Sequence, residues 1–290
     1  MQCRLFFSAP EADARRLYDR LGVEFELDGH VIAITEIDEA AGLHSVELYV
    51  DEAGLDDARA RMRAVVARAG AEIAIETETL PDIDWVARSL EGLKPVRAGR
   101  FLVHGAHDRD QVRANDLSIE IEAAQAFGTG HHGTTAGCLE MIADIVRRER
   151  PANVLDLGTG SGVLAIAVAK LAHVPVLATD IDPIATAVAA RNARLNRTGA
   201  DVDAVTATGF RHRAIARRAP YDLIVANILA RPLMQLAPDM ARHLRPGGSL
   251  ILSGILARQR NAVIAAYAGQ RFRHLRTLTR GEWVSLHLKR

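Results

Sequence analysis

A glycine-rich turn at residues 156–162, called the glycine turn below, is the segment of this sequence best suited to ligand chemistry. It reads Asp-Leu-Gly-Thr-Gly-Ser-Gly and joins an apolar stretch, Val154–Leu157, to a helical run. Glycine at three alternate positions, Gly158, Gly160 and Gly162, lets the backbone approach a bulky ligand where a side chain would collide. Unpaired N–H groups at the start of the following helix then face that ligand.

An aspartate after the next apolar stretch supplies a second polar group. Asp180 follows Val174–Thr179 and lies 22 residues beyond Gly158. A carboxylate in this place can accept hydrogen bonds from both hydroxyls of a ribose. The two features together predict a nucleoside-containing cofactor at the carboxyl end of a parallel sheet.

The composition of the turn distinguishes between cofactors. A dinucleotide turn requires its third glycine at the position of Val163. An acid beside the turn, Asp156, would repel a pyrophosphate and attract a cation. S-adenosylmethionine carries an ammonium and a sulfonium and no phosphate, so the spacing favours it, with Asp156, the three glycines and Asp180 as its contacts. The alternative is a ligand-free turn between a strand and a helix.

A polar residue ends a later strand. Asn227 follows Tyr221–Ala226, and strand ends line the ligand crevice of an open α/β sheet. Its amide can accept a hydrogen bond from an amine and donate another, which makes Asn227 the candidate catalytic residue. The alternative is that Asn227 caps a helix beginning near Pro232.

Glycines, threonines and histidines crowd the segment Ala126–Thr135, just before a helix. Such a loop can cover a cofactor with hydroxyls and backbone groups, and Phe127, Thr129 and Thr135 are its candidate contacts. Its two adjacent histidines point in different directions, and no metal site is predicted. The alternative is a loop that only caps the helix through a threonine.

Apolar strands alternate with helices from Asn153 onward, which predicts a parallel sheet covered on both faces. A closing strand pair separated by Gly281 predicts an antiparallel terminal hairpin. The predicted strands are Val154–Leu157, Val174–Thr179, Val202–Thr206, Tyr221–Ala226, Ser249–Ser253, 272–278 and 283–288. The predicted helices cover about 163–171, 183–196, 232–244 and 257–268.

The N-terminal part predicts a separate small α+β domain over residues 1–78. Its elements approximate the order β-α-β-β-α-β of a ferredoxin-like unit. They are strands Gln2–Ser8, Val23–Leu27, Val31–Ile37, Leu43–Val50 and Ala71–Thr77, helices Pro10–Leu21 and Leu55–Ala69, and a hairpin turn at Asp28–Gly29. Residues 79–126 form a structured linker with a short helix from Asp82 to Leu90 and short strands at Arg100–His104 and Leu117–Ile121. Residues 127–290 form the cofactor-binding domain.

Charge is divided unevenly along the 290 residues. Residues 1–78 contain 17 acidic and 8 basic side chains, whereas residues 131–290 contain 11 acidic and 22 basic ones. The acidic domain would attract a basic protein and repel nucleic acid, so it predicts a docking module. The basic half contains an arginine cluster, Arg211, Arg213, Arg217 and Arg218. It is interpreted as a solvated face rather than an RNA site, because no aromatic residues interleave with it.

Composition limits the location of the protein. Two cysteines, far apart in sequence, argue against a disulfide framework or a cysteine-built zinc site. No apolar run approaches membrane-spanning length, and no signal segment is recognisable at the N-terminus. A cytoplasmic protein is expected.

Five motifs in order resemble the PrmA family, class I methyltransferases of the large-subunit ribosomal protein uL-eleven. They are Phe127–Thr135, Asp156–Gly162, Asp180–Pro183, Ala226–Ala230 and Leu252–Leu256. The resemblance covers about residues 80–290 and implies a class I methyltransferase Rossmann-like sheet. It implies cofactor contacts at Thr135, Gly158, Asp180 and Asn227. It further implies an N-terminal domain that grips the ribosomal protein, and methylation of lysine side chains and the α-amino group. A monomer without direct nucleic-acid specificity is expected. The loop departs from the family pattern at His131, where the family has Thr, and at Gly133, where the family has Pro.

Other functions stay open at this point. The same core motifs would suit a methyltransferase for another protein lysine, such as the electron-transfer flavoprotein β subunit. An RNA methyltransferase fits less well because the accessory domain is acidic. A non-catalytic alternative is an S-adenosylmethionine-binding ribosome-assembly factor.

Overall fold

The structure, a computed structural model, describes residues 2–25, 30–38, 42–70, 73–80, 95–121 and 132–290. Their contacts divide the chain into two compact units, Met1–Ile83 and Asp84–Arg290. The hairpin turn predicted at Asp28–Gly29 and the short helix predicted from Asp82 to Leu90 lie outside the described residues. In the part of the chain that is described, no helix combines the length and apolar character needed to cross a membrane.

The first unit is a four-stranded antiparallel sheet with two helices. Its elements are β1 (Gln2–Pro10), α1 (Glu11–Glu24), β2 (Val31–Asp38), β3 (Leu43–Asp51), α2 (Leu55–Arg68) and β4 (Glu76–Leu80). The strand order is β2-β3-β1-β4, so the N-terminal strand lies between the third and the fourth.

The strand predicted at Val23–Leu27 is wrong, because its first two residues complete α1. Leu17, Leu21 and Phe25 recur every four residues and are all buried. Their helical period continues past Gly22 and outweighs the β-branched character of Val23. The apolar residues therefore form one buried face of a helix and not a strand.

The second unit is built on a seven-stranded sheet. Its strands are β8 (Val154–Leu157), β9 (Val176–Asp180), β10 (Val202–Thr206), β11 (Tyr221–Asn227), β12 (Leu244–Leu256), β13 (Arg273–Arg280) and β14 (Trp283–Lys289). The order in the sheet is β10-β9-β8-β11-β12-β14-β13. Strands β8 to β12 run parallel, and β14 pairs antiparallel with both β12 and β13. The predicted parallel sheet with an antiparallel terminal hairpin is confirmed.

Helices cover both faces of this sheet. They are α3 (His132–Glu149), α4 (Val163–Ala172), α5 (Pro183–Leu195), α6 (Arg213–Arg218), α7 (Ala230–His243) and α8 (Arg260–Ala268). One apolar core joins α3 and α4 to one face, and a second core joins α6, α7 and α8 to the other. The predicted strand Val174–Thr179 begins only at Val176, because Pro175 has no N–H to donate to a sheet.

A small three-stranded sheet shares the core of α3 and α4. Its order is β5 (Val96–Ala98), β6 (Phe101–His104) and β7 (Leu117–Glu120), and β7 pairs parallel with β6. The two strands predicted in the linker are present, and β5 was not predicted. This sheet belongs to the second compact unit.

The sheet order defines where a ligand can bind. The chain runs outward from β8 to β9 and β10 on one side, then returns to β11 on the other side of β8. A crevice forms at such a switch point, beyond the carboxyl ends of the strands. Residues that follow β8, β9 and β11 therefore lie around one site.

Candidate functional site

The glycine turn adopts a backbone that other residues rarely take. Gly158, Gly160 and Gly162 have φ values of +72°, +54° and +85°. A Cβ on Gly158 would lie 2.3 Å from Cγ2 of Ile228, and one on Gly162 would lie 3.1 Å from Cα of Ala189. Both conformation and space therefore require glycine at these two positions.

Hydrogen bonds from β9 fix the shape of the turn. The carbonyl oxygen of Thr179 accepts from the backbone nitrogen of Gly158 at 2.7 Å and of Thr159 at 2.9 Å. One residue later, Oδ2 of Asp180 accepts from the backbone nitrogen of Gly160 at 2.8 Å. The end of β9 thus organises the turn and places the Asp180 carboxylate against it.

Asp180 is held from both sides. Its Oδ1 accepts from the backbone nitrogen of Asp182 at 3.1 Å, and the side chain remains partly exposed. Each carboxylate oxygen has two lone pairs, so each can accept a further hydrogen bond from a ligand. Two fixed acceptors side by side suit the two adjacent hydroxyls of a ribose.

Asp156 stabilises the turn from beneath. Its side chain is buried, and its Oδ2 accepts from Oγ1 of Thr159 at 2.6 Å and from the backbone nitrogen of Ala165 at 3.0 Å. The second bond satisfies an N–H in the first turn of α4. Oδ1 of Asp156 is buried and has no partner among the residues that the structure describes. Because Asp156 is 1% exposed, its charge can attract a cationic ligand only from beneath the turn and not by direct contact.

Burial raises the pKa of the Asp156 carboxyl to about 6; the bonds from Thr159 and Ala165 oppose the rise, and the charge of Asp180 adds to it. An unfolded aspartate has a pKa of about 4. Between these values the native state binds more protons than the unfolded state, so the stability that Asp156 contributes is lost as pH rises through 6.

The Asp156→Asn variant should lack this pH dependence. We expect the free energy of unfolding of the wild type, relative to the variant, to fall by about 2 kcal/mol between pH values of about 4.5 and 7.5. Urea denaturation of both proteins across this range measures the difference. A difference that stays constant with pH would show that Asp156 titrates normally in the folded protein.

Asn227 ends β11 on the other side of the crevice. The preceding Ala226 pairs with Leu157, the last residue of β8, and Asn227 itself lies opposite Ser253 of β12. Nδ2 of Asn227 donates to Oγ1 of Thr134 at 3.4 Å. Helix α7 begins at Ala230 with Leu229 as its N-cap. The helix-capping alternative for Asn227 is therefore wrong.

The structure brings part of the predicted site together. Asp156, the three glycines, Asp180 and Asn227 surround the switch point, and Thr135 is buried in the first turn of α3. Phe127 and Thr129 lie outside the described residues.

Three residues around the turn were not predicted. Thr159 and Thr179 hold its backbone, and Asn192 of α5 donates from Nδ2 to the carbonyl oxygen of Ser161 at 2.8 Å. Asn192 is fully buried, and it shares the buried face of α5 with small and apolar residues such as Val188, Ala189 and Ala193. The sequence signal that could have identified it is an asparagine at a position of the helix whose face is otherwise small and apolar, because a buried amide needs a hydrogen-bond partner.

A cavity of about 590 Å³ lies elsewhere, between α3 and the β13–β14 hairpin. Ion pairs join the charges around it, Arg276 with Asp144 and Lys289 with Glu149. The hydroxyl group of Ser249 is hydrogen-bonded to the side chains of Glu149 and His287. These polar groups satisfy one another and contact none of the turn residues described above, so we assign the site to the switch point.

Comparison with known proteins gives consistent similarities. The family model for ribosomal protein L11 methyltransferase (PrmA) matches residues 26–290. A ribosomal protein L11 methyltransferase from Mesorhizobium japonicum is 62% identical over 99% of this chain and 99% of its own length. One from Chelativorans sp. is also 62% identical, over 100% of this chain and 99% of its own. A crystal structure of the ribosomal protein L11 methylase of Lactobacillus delbrueckii subsp. bulgaricus is 31% identical, with a TM-score of 0.61. It covers 68% of this chain and 98% of that one.

Proposed function

Because the chain belongs to the ribosomal protein L11 methyltransferase (PrmA) family, we propose that it methylates ribosomal protein L11, also called uL-eleven, with S-adenosylmethionine as methyl donor. The observation that carries the proposal is the Asp180 carboxylate, which is hydrogen-bonded to the glycine turn at the switch point of the sheet. The similarity to ribosomal protein L11 methyltransferases, which extends over 99% of the chain, supports it. The electron-transfer flavoprotein and assembly-factor alternatives have no comparable support.

The described residues fit the cofactor. Asp180 offers two acceptors for the ribose hydroxyls, and the positive-φ glycines let the cofactor approach the backbone. Asp156, buried beneath the turn, adds a negative charge that attracts the cationic groups of the cofactor. Thr135, Phe127 and Thr129 complete the proposed contacts. The bound cofactor supplies a methyl group already activated by its sulfonium, so the protein has mainly to align and desolvate the acceptor.

We assign the acceptor to amines, both lysine side chains and the α-amino group of L11. A lysine with a pKa of about 10.4 is neutral in only about one molecule in a few thousand at pH 7. Burial next to a positive charge disfavours its ammonium form and exposes the lone pair. Asn227 can accept a hydrogen bond from the amine and orient it, but an amide cannot take up the proton. Water is the proposed proton acceptor.

The first unit is the proposed docking module for L11. Its 17 acidic and 8 basic side chains over residues 1–78 give an acidic surface that suits a basic ribosomal protein. We propose that the protein acts as a monomer in the cytoplasm, where this substrate is made, with no specific contact to nucleic acid.

Salt should weaken the encounter between the protein and L11. We expect the KM for L11 to rise several-fold between about 50 mM and 300 mM sodium chloride, because ions screen attraction between exposed charges. The KM for S-adenosylmethionine, which is bound by the second unit, should change much less and is the internal control. Initial rates at varied L11 concentration measure both. A KM for L11 that does not depend on salt would exclude electrostatic steering.

The function is tested by methyl transfer to purified L11. With methyl-labelled S-adenosylmethionine, we expect label on lysine nitrogens and on the N-terminal nitrogen of L11, located by mass spectrometry of its peptides. Label on another protein in a ribosomal extract, with none on L11, would contradict the proposed substrate. Binding of the cofactor without any transfer would favour the non-catalytic alternative.

A further inference from the structure

We propose that Asn192 and Asn196 are positioning residues that hold the glycine turn in its binding shape and couple it to the outer edge of β7. The proposal rests on the proposed function, since it concerns the same cofactor site. Asn192 lies in α5, and Asn196 is the C-cap of that helix, four residues later. Residues four apart lie on one face of a helix, so both amides point the same way.

Asn192 ties α5 to the turn. Its fully buried side chain donates from Nδ2 to the carbonyl oxygen of Ser161 at 2.8 Å. One turn earlier in the helix, Ala189 lies so close to Gly162 that a Cβ on the glycine would come within 3.1 Å of its Cα. Helix α5 thus contacts the C-terminal end of the turn through one hydrogen bond and one backbone approach.

Asn196 ties the same helix to β7. Its Oδ1 accepts from the backbone nitrogen of Glu120 at 3.0 Å, and its Nδ2 donates to the carbonyl oxygen of Glu120 at 2.6 Å. The same Nδ2 donates to the carbonyl oxygen of Asn192 at 2.9 Å. Strand β7 is an edge strand of the three-stranded sheet. A side-chain amide carries the same donor and acceptor as a peptide group, so Asn196 replaces a neighbouring strand at Glu120.

These contacts form a continuous path from Ser161 through Asn192 and Asn196 to Glu120. All four hydrogen bonds along it are between 2.6 and 3.0 Å. Both asparagines are buried, and a buried amide that loses its partner is costly, so the arrangement resists change at either end. A turn with three positive-φ glycines has much conformational entropy to lose, and a brace that orders it beforehand strengthens binding.

Calorimetric titration with S-adenosylhomocysteine tests whether the Asn192 side chain contributes to ligand affinity. The Asn192→Leu variant keeps a similar shape but removes the donor to Ser161, and we expect its dissociation constant to rise about tenfold. The matched control is Thr198→Val. Thr198 is buried just beyond the C-terminal end of α5, and its Oγ1 donates to the carbonyl oxygen of Ala193 at 3.1 Å. The control should lose comparable thermal stability and keep its dissociation constant within about twofold.

Hydrogen exchange at the Glu120 amide tests the coupling, and its first measurement, on the wild type, needs no substitution. In the wild type and in Thr198→Val, S-adenosylhomocysteine should slow this exchange several-fold. In Asn196→Leu the ligand should still bind, but exchange at Glu120 should no longer respond to it.

Two results would overturn the proposal. One is an equal rise in the dissociation constant for Asn192→Leu and Thr198→Val, which would reduce Asn192 to a general stabilising residue. The other is a Glu120 amide that does not respond to ligand in the wild type. A wild type that binds no S-adenosylhomocysteine would instead contradict the proposed function, and this is measured first.

Discussion

Replacing Asp180 by alanine should raise the dissociation constant for S-adenosylmethionine about 100-fold. By the proposed cofactor contact, the variant should lose two charge-assisted hydrogen bonds to the ribose, each contributing about 1.5 kcal/mol or more. It also removes the acceptor for the Gly160 N–H, which loosens the turn before the cofactor arrives. Calorimetric titration of wild type and variant gives the two constants directly.

Asp182→Ala is the matched control for this experiment. Asp182 lies two residues away and caps α5, where its Oδ1 accepts from the backbone nitrogen of Ile184 at 2.8 Å. Loss of this cap should cost about 1 kcal/mol of stability. Its backbone bond to Asp180 remains, so cofactor affinity should change less than threefold. Unchanged affinity in Asp180→Ala, or an equal loss in both variants, would refute the proposed ribose contact.

Replacing Asn227 by alanine should lower kcat about 100-fold, because a misaligned acceptor amine loses most of the benefit of positioning. The dissociation constant for S-adenosylmethionine should rise by less than tenfold, since Asp180 and the glycine turn remain. Single-turnover rates of methyl transfer to L11, together with calorimetry, separate the two effects.

Asn153→Ala controls for the general cost of removing an asparagine from the sheet. Asn153 precedes β8 at the opposite end of the sheet, where Nδ2 donates to the carbonyl oxygens of Arg218 and Pro220. This control should lose stability but retain kcat. If Asn227→Ala kept its turnover within about twofold of the wild type, Asn227 would have no positioning role.

The central strands of the second unit, β8, β9 and β11, could be predicted because they are buried on both faces. The strand Val154–Leu157 is apolar except for Asp156, all four of its residues are buried, and its predicted bounds match the structure. The glycine turn and Asp180 could also be predicted from the sequence, because close approach of the backbone and ribose binding require particular residue types at a fixed spacing.

Features that depend on distant partners could not be predicted. Helix α1 continues through Val23 because Phe25 is buried in the core of the first unit. Asn196 becomes important only because the fold brings Glu120, 76 residues earlier, beside it. The sequence suggested that Asp156 attracts a cation, but not that its other oxygen would hold Thr159 and the first turn of α4.

A crystal structure with bound S-adenosylhomocysteine tests the central claim most directly, because it locates the ligand without any substitution. We predict that both ribose hydroxyls donate to the Asp180 carboxylate, with the rest of the ligand lying along the glycine turn and reaching toward Asn227. Ligand density in another part of the protein, or a ribose that makes no contact with Asp180, would contradict the account.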